Sequence, residues 1–491
     1  MKIIIIYIAF VPFSCIIVDV LVEGVHRVSS NLEEKYILQK YIRYNGGIFM
    51  AKDTNKALRN DVIYSIFVRN YSEEGTFQAV ERDLDRIKSL GVDIIWLMPI
   101  QPSGKKNRKG SLGSPYAISD YRAVNPEFGT MEDFIRLVDA IHEKGMKCII
   151  DVVYNHTSPD SVLSKEHPEW FFHKQDGSFG NRVGDWWDVI DLDYSDMGLW
   201  DYQIETLKMW AKYVDGFRCD VAPMIPFDFW IRARKEIAEI RPNAIWLAES
   251  IEPGFLVFNR SRGLASSSDS EMFQAFDICY DYDITDEFYG YLEGKNSLAE
   301  YADAINRQEA MYPDNYVKAR FLENHDRLRA AFMIRDEQAL RNWTAFEYFQ
   351  KGCVLLYNGQ ETGCEHTPSL FDKDTIPFEN SKNKDLDFSK FFAKLYEIKK
   401  NQIFTNSSYQ VFPIKSDTLL AVHIENCDIF AKEEPAKMVG IFSFKGEKGL
   451  IEVGSKNIPD GRYKNLLTGD CVEVNMGHLC TDGEPIVFEC R

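Results

Sequence analysis

From residue 61 onward the chain alternates short, almost unbroken apolar runs with longer amphipathic segments. DVIYSIFVRN (61–70) reads as a strand. The next segment carries Phe77, Val80, Leu84, Ile87 and Leu90 at helical spacing, between Thr76 as N-cap and Gly91 as stop, and reads as one helix. VDIIWLMP (92–99) is the second strand. A Thr130-capped helix with Phe134, Leu137, Val138 and Ile141 on one face then runs to Gly145 and leads into the third strand, KCIIDVVYNH (147–156). The rhythm continues through YVDGFRCDVA (213–222), AIWLAES (244–250), QAFDICYD (274–281), VKARFLENHD (317–326) and CVLLYNGQE (353–361). Continuous Val/Ile/Leu-rich runs mark parallel strands buried on both faces, and eight strand–helix units match a closed (β/α)8 barrel. The competing α/β reading, an open doubly wound sheet, lacks a nucleotide-type glycine-rich loop here.

Two departures divide the chain. Between Asn155 and Val214 lies a segment rich in Trp, Asp, Gly and His, too long for a plain connection; it predicts a small insertion domain (157–213) after the third strand. After residue 405 short alternating runs (TLLAVHI, KMVGIFSF, GLIEVG, PIVFEC) predict an antiparallel β-sandwich over 405–491. The barrel then comprises 50–156 and 214–400.

Residues 3–22 are nearly all apolar and follow Lys2, as in a signal peptide or membrane anchor spanning residues 2–22, but Pro12 and Asp19 interrupt them and no A-x-A cleavage site follows. A second reading treats 1–49 as a mis-assigned extension and starts the chain at Met50. Of ten cysteines, Cys148, Cys219, Cys279 and Cys353 fall inside strand runs, where thiols act as small hydrophobes. Cys471, Cys480 and Cys490 are spaced for neither a metal knuckle nor a disulfide framework. The expectation is a reduced, cytoplasmic protein, with a secreted or membrane-anchored one as the alternative.

The net charge of −18 disfavours a nucleic-acid partner. Several of the aromatic residues, 13% of the chain, sit beside Gly, Asp and Pro in loops, where ring faces suit flat, partly apolar ligands such as sugars.

Barrels of this class carry their sites at the C-terminal ends of the strands, so polar residues that end apolar runs are candidates. The third strand ends in Asp151 and Asn155-His156, the fourth in Arg218-x-Asp220, the fifth in Glu249 and the seventh in Asn324-His325-Asp326. Any one of these reads equally well as a strand cap; carboxylates, two His and an Arg on one rim are harder to explain structurally. Glycoside hydrolysis needs two carboxyl groups with pKa values driven apart. Arg218, on the same strand face as Asp220, is expected to hold it ionised, and the apolar IWLA before Glu249 to favour its protonated form.

DVVYNH (151–156), GFRCDVA (216–222), WLAES (246–250) and FLENHD (321–326) resemble, in order, the four signature regions of the α-amylase family, glycoside hydrolase family 13; IDLDY (190–194) resembles its auxiliary region. The resemblance implies Asp220 as nucleophile, Glu249 as general acid/base and Asp326 as the carboxylate gripping the sugar's 2- and 3-hydroxyls. His156, Arg218 and His325 match residues around the reacting sugar, Tyr116 the tyrosine that stacks on it, Asp120 the acidic residue after that tyrosine, and Asp151 a supporting aspartate. Trp186 and Trp187 are candidates for stacking on sugar, or core of the insertion.

The Lys-His pair that many members carry after the nucleophile is replaced by Val221-Ala222-Pro223-Met224. No cofactor is required by this reading; calcium is an option, with Asn155 matching a ligand and Asp185, Asp188, Asp191 and Asp193 as further oxygens. The implied partner is an α-glucan or maltooligosaccharide, and the implied activity is retaining hydrolysis of mainly α-1,4 bonds. A 4-α-glucanotransferase, an α-glucosidase or neopullulanase-type enzyme and a non-catalytic transporter-associated subunit are the alternatives.

Overall fold

A computed structural model describes residues 54–184, 186–378, 388–426, 434–454 and 458–491. The expected extension and the Met50 start lie outside the described residues. All eight expected strands form: β1 (Val62–Ile66), β2 (Ile94–Leu97), β3 (Lys147–Val152), β4 (Gly216–Cys219), β5 (Ile245–Ala248), β6 (Ile278–Tyr280), β7 (Val317–Arg320) and β8 (Cys353–Tyr357). They pair in parallel, each with its neighbour in sequence, and β1 closes the ring against β8 through Val62↔Val354 to Ser65↔Tyr357. Apart from Lys147 at the start of β3, every residue of these strands is buried, as barrel strands clad in helices require.

Gly216 opens β4 because nothing larger fits: a Cβ there would sit 2.1 Å from the Ile245 carbonyl oxygen of β5. The segment expected as one helix from Phe77 to Leu90 forms two, α1 (Phe77–Arg82) and α2 (Leu84–Ser89). Asp83 leaves the helical region (φ −102°, ψ 4°), and its carboxylate accepts hydrogen bonds from Tyr71 and Arg86 instead. The helix α3 (Met131–Glu143) starts with a reciprocal Thr130–Asp133 capping box, and Gly145 follows at φ +68°.

The insertion after β3 is anchored to the barrel rim by a two-residue antiparallel ladder, His156–Thr157 against Ile190–Asp191. Beyond the barrel, 407–415, 418–425, 437–443 and 486–490 form a four-stranded antiparallel sheet, and two hairpin-like pairs share a second apolar core with it through Leu420, Val439, Ile451 and Val474. Trp343 stacks on Phe444 at 3.7 Å and joins this domain to the barrel. Cys148, Cys219, Cys279 and Cys353 are buried in the barrel; Cys471 and Cys480 are exposed and free. No helix among the described residues is long and apolar enough to cross a membrane.

Candidate active site

The ends of β3, β4 and β5 converge on one guanidinium. Arg218 is fully buried; its Nη1 donates to both oxygens of Asp151 at 3.0 and 3.1 Å and to Asp220 Oδ1 at 3.0 Å. Its Nη2 lies 3.0 Å from Glu249 Oε1, off the hydrogen-bonding axis. The cation rests against Trp96, 4.9 Å from the ring centre, so water does not share it.

Burial dominates the titration of Asp220 and Glu249, and the shared guanidinium opposes it. Burial pushes Asp220 up to about 6 even though Arg218 pulls it down. Arg218 acts in the expected direction, but desolvation of the buried carboxyl outweighs it, so Asp220 is ionised at pH 7 by a narrower margin than a free carboxyl. Burial also raises Glu249, to about 8, against the opposing pull of Arg218. Asp326 goes the other way: burial opposes its charge, but His325 Nε2 at 3.0 Å and the cations Arg218 and Arg327 bring it to about 2. The same contact raises His325 against its own burial. His156 falls to about 4 on burial, so its Nε2, 3.9 Å from Asp220 Oδ2, is a neutral polar neighbour at pH 7.

Around these groups lies a cavity of about 290 Å³. Tyr116 lines it, stacked on His325 (5.5 Å, 15° between planes), with its hydroxyl 2.7 Å from His325 Nε2 and donating to Asp151 Oδ2 at 3.2 Å. Trp186 lines it too, 5.4 Å from the His156 ring. Trp187 is 55% exposed on the rim. Asp120 is not among the residues lining the cavity; its carboxylate accepts the Arg122 N–H at 2.9 Å and holds a turn.

Three residues not singled out as site residues by sequence belong to it, and Asp188, weighed there only as a calcium oxygen, joins them. Val221 takes a left-handed backbone (φ +34°), strained for a β-branched residue, and so turns its N–H onto Glu249 Oε2 at 2.7 Å. Lys109, Asp188 and Phe371 line the outer cavity. No local pattern marks Lys109: it sits in a polar run, GKKNRKG, that reads as solvated loop.

The profile described as the α-amylase catalytic domain matches residues 49–405. The chain belongs to the α-amylase family. The bacterial α-amylase C-terminal domain matches residues 430–488. Among solved α-amylase structures, one from Lactobacillus plantarum is 45% identical, with a TM-score of 0.84 over 89% of this chain and 100% of that one. A noncanonic maltogenic α-amylase from Thermotoga neapolitana is 33% identical, with a TM-score of 0.76 over 88% and 99%. The α-1,4-glucan:maltose-1-phosphate maltosyltransferase of Cereibacter sphaeroides is 29% identical over 331 residues, 62% of this chain and 46% of that protein. The chain thus spans about half the length of the curated relatives it matches.

The calcium ligands that the α-amylase resemblance suggests do not fit such an ion in this chain. Calcium takes roughly six to eight oxygens. Here Asp188 is taken by Lys109 at 2.8 Å, and Asp193 by the Ser195 N–H at 3.1 Å. Asp191 Oδ2 accepts the Arg182 N–H at 2.7 Å with the Arg182 guanidinium 3.6 Å away, so a resident cation already faces it. Asn155, one buried, unpartnered oxygen of Asp191 and the second carboxylate oxygen of Asp193 are what remains, short of such a set, and Asp185 lies outside the described residues. Among the described residues no three His, Cys, Asp or Glu gather as metal ligands would.

Proposed function

We propose that the protein is a retaining glycoside hydrolase of α-glucans, cleaving mainly α-1,4 bonds of maltodextrins. The observation that carries this reading is Arg218: one fork contacts Asp220 and Glu249 together, while burial separates their titration to about 6 and about 8. Near neutral pH that leaves an ionised nucleophile beside a protonated acid. Two carboxyl groups on one fork are held close, in keeping with the roughly 5–5.5 Å spacing of retaining enzymes.

Asp220 attacks the anomeric carbon as Glu249 gives its proton to the departing glycosidic oxygen; the carbon–oxygen bond breaks and a glycosyl ester of Asp220 forms. Glu249, now a carboxylate, takes a proton from water, whose oxygen displaces Asp220 and restores the α-anomer. Asp326, kept ionised by His325, grips the ring hydroxyls, and neutral His156 offers a hydrogen bond without competing for Asp220. Arg182 faces Asp191 with a positive charge of its own, which supports a reaction run without calcium. The free cysteines support a reducing, cytoplasmic setting.

The deciding incubation uses maltoheptaose with product length and anomer followed in time. Shorter products released as α-anomers, unaffected by EDTA, are expected. The second reading, glucanosyl transfer, is favoured by the maltosyltransferases among the relatives; it wins if chains longer than the substrate accumulate. β-Anomers would refute the retaining mechanism.

The rate should depend on pH as a bell. Lowering pH through about 6 protonates Asp220, and raising it through about 8 ionises Glu249, so kcat/KM falls on both sides. A profile flat from pH 5 to 9 would contradict these assignments.

A further inference from the structure

The strand order around the ring gives the cleft a direction. Glu249 follows β5, which stands across the mouth from β1, and β1 is flanked by β2 and β8. A leaving group protonated by Glu249 departs over the β5 side, so the non-reducing end of the bound sugar points toward the loops after β2 and β8.

Those loops are tied together. Leu112 N–H donates to the Phe371 carbonyl at 3.0 Å, and Ser111 donates to Asp372 Oδ1 through both N–H (2.8 Å) and Oγ (2.6 Å). Between them they carry Lys109, whose ammonium lies 2.8 Å from Asp188 of the insertion and within 5.5 and 5.8 Å of the Trp187 and Phe371 ring centres. Asp188 is 4% exposed, so this pair is shielded from water on one side and holds more firmly than a surface pair. Three chain segments thus meet at one ammonium, on the edge of a cavity of about 290 Å³. That is at the bottom of the ~300–1,000 Å³ range of small-ligand sites, room for few sugar rings. The opposite side is built differently. There the helix Pro253–Ser261, which follows β5, exposes Val257 and Phe258.

We infer that Lys109 is a specificity-determining residue that walls off the donor side of the cleft. Through Asp188 and Phe371 it confines the enzyme to non-reducing chain ends, from which about one or two glucose units are released. The departing glucan lies over the apolar β5 side. The inference rests on the α-glucan hydrolase reading and adds which end of the chain is used. A merely structural Lys109, pinning the insertion domain, would affect all substrates alike.

The test compares 4-nitrophenyl α-maltoheptaoside with a free non-reducing end and the same compound blocked there as a 4,6-ethylidene acetal. The wild type is expected to prefer the free-ended substrate at least about tenfold in kcat/KM and to release short units from that end first. In Lys109→Ala, and in Lys109→Met, which keeps the stem over Trp187 and Phe371, that preference is expected to shrink about tenfold as blocked chains gain entry. Equal wild-type rates on both compounds, with mid-chain products, would overturn the wall while leaving the hydrolase reading intact. An unchanged preference in both variants would overturn Lys109 as its determinant, whatever happens to the overall rate. Failure to cleave either compound would overturn the hydrolase reading itself, and this inference with it.

Discussion

Asp220→Asn is expected to lower turnover of maltoheptaose by about 10⁴-fold or more, the scale on which removing a nucleophile acts. The amide is nearly isosteric, and its oxygen still accepts from Arg218 Nη1, so the pocket keeps its shape. What is lost is the anionic oxygen that bonds to the anomeric carbon. Asp220 is deeply buried and burial disfavours its charge, so the variant should melt no lower than the wild type. The measurement is kcat alongside a thermal scan. In Asp220→Gly, which clears the space where the carboxylate stood, a small external nucleophile such as azide should restore part of the rate and yield a product of inverted anomeric configuration. Activity within about tenfold of wild type would remove Asp220 from the reaction coordinate.

Glu249→Gln is expected to cost about 10²–10⁴-fold on natural glucan, where the leaving sugar must be protonated. On a glucosyl fluoride, whose leaving group needs little help, glycosylation should lose far less. The Val221 N–H keeps an acceptor in the amide oxygen, so the side chain stays in place and the comparison isolates proton transfer. The alkaline limb of the pH profile near 8 should vanish with it, because that limb is the ionisation of Glu249. Equal losses on both substrates would mean that Glu249 positions rather than protonates.

The barrel was legible because each strand is buried on both faces and therefore spelled as an unbroken apolar run. Polar residues at the ends of those runs then pointed to the rim, and Asp151, Arg218, Asp220 and Glu249 do meet there. Depth, by contrast, is not written in sequence. The neighbour of Asp220 on its own strand suggested an ionised carboxylate, and only burial reveals how far desolvation offsets that cation, bringing the titration up to about 6. Nor does spacing reveal partners from separate loops: Lys109 and Asp188 come together only after the insertion folds back over the rim. The helix break at Asp83 escaped a periodic reading because the apolar spacing continues across it, while the departure is driven by polar bonds to Tyr71 and Arg86. Asp120 fell on a motif but turns its carboxylate to a local backbone N–H.

Closure of the ring by Val62 against Val354 has a consequence for how the protein is made. Synthesis delivers β1 early and its last partner, β8, only after nearly the whole barrel has left the ribosome. Until Tyr357 emerges, the nascent chain carries two unpaired parallel edges, β1 and whichever strand was added last, each lined with apolar side chains. Pairing across such a distance is slow, because loop-closure entropy is spent before the contacts return it. The growing barrel is therefore most prone to stick to its neighbours late in translation, and holding expression slow and cool is the condition under which it should accumulate in folded form.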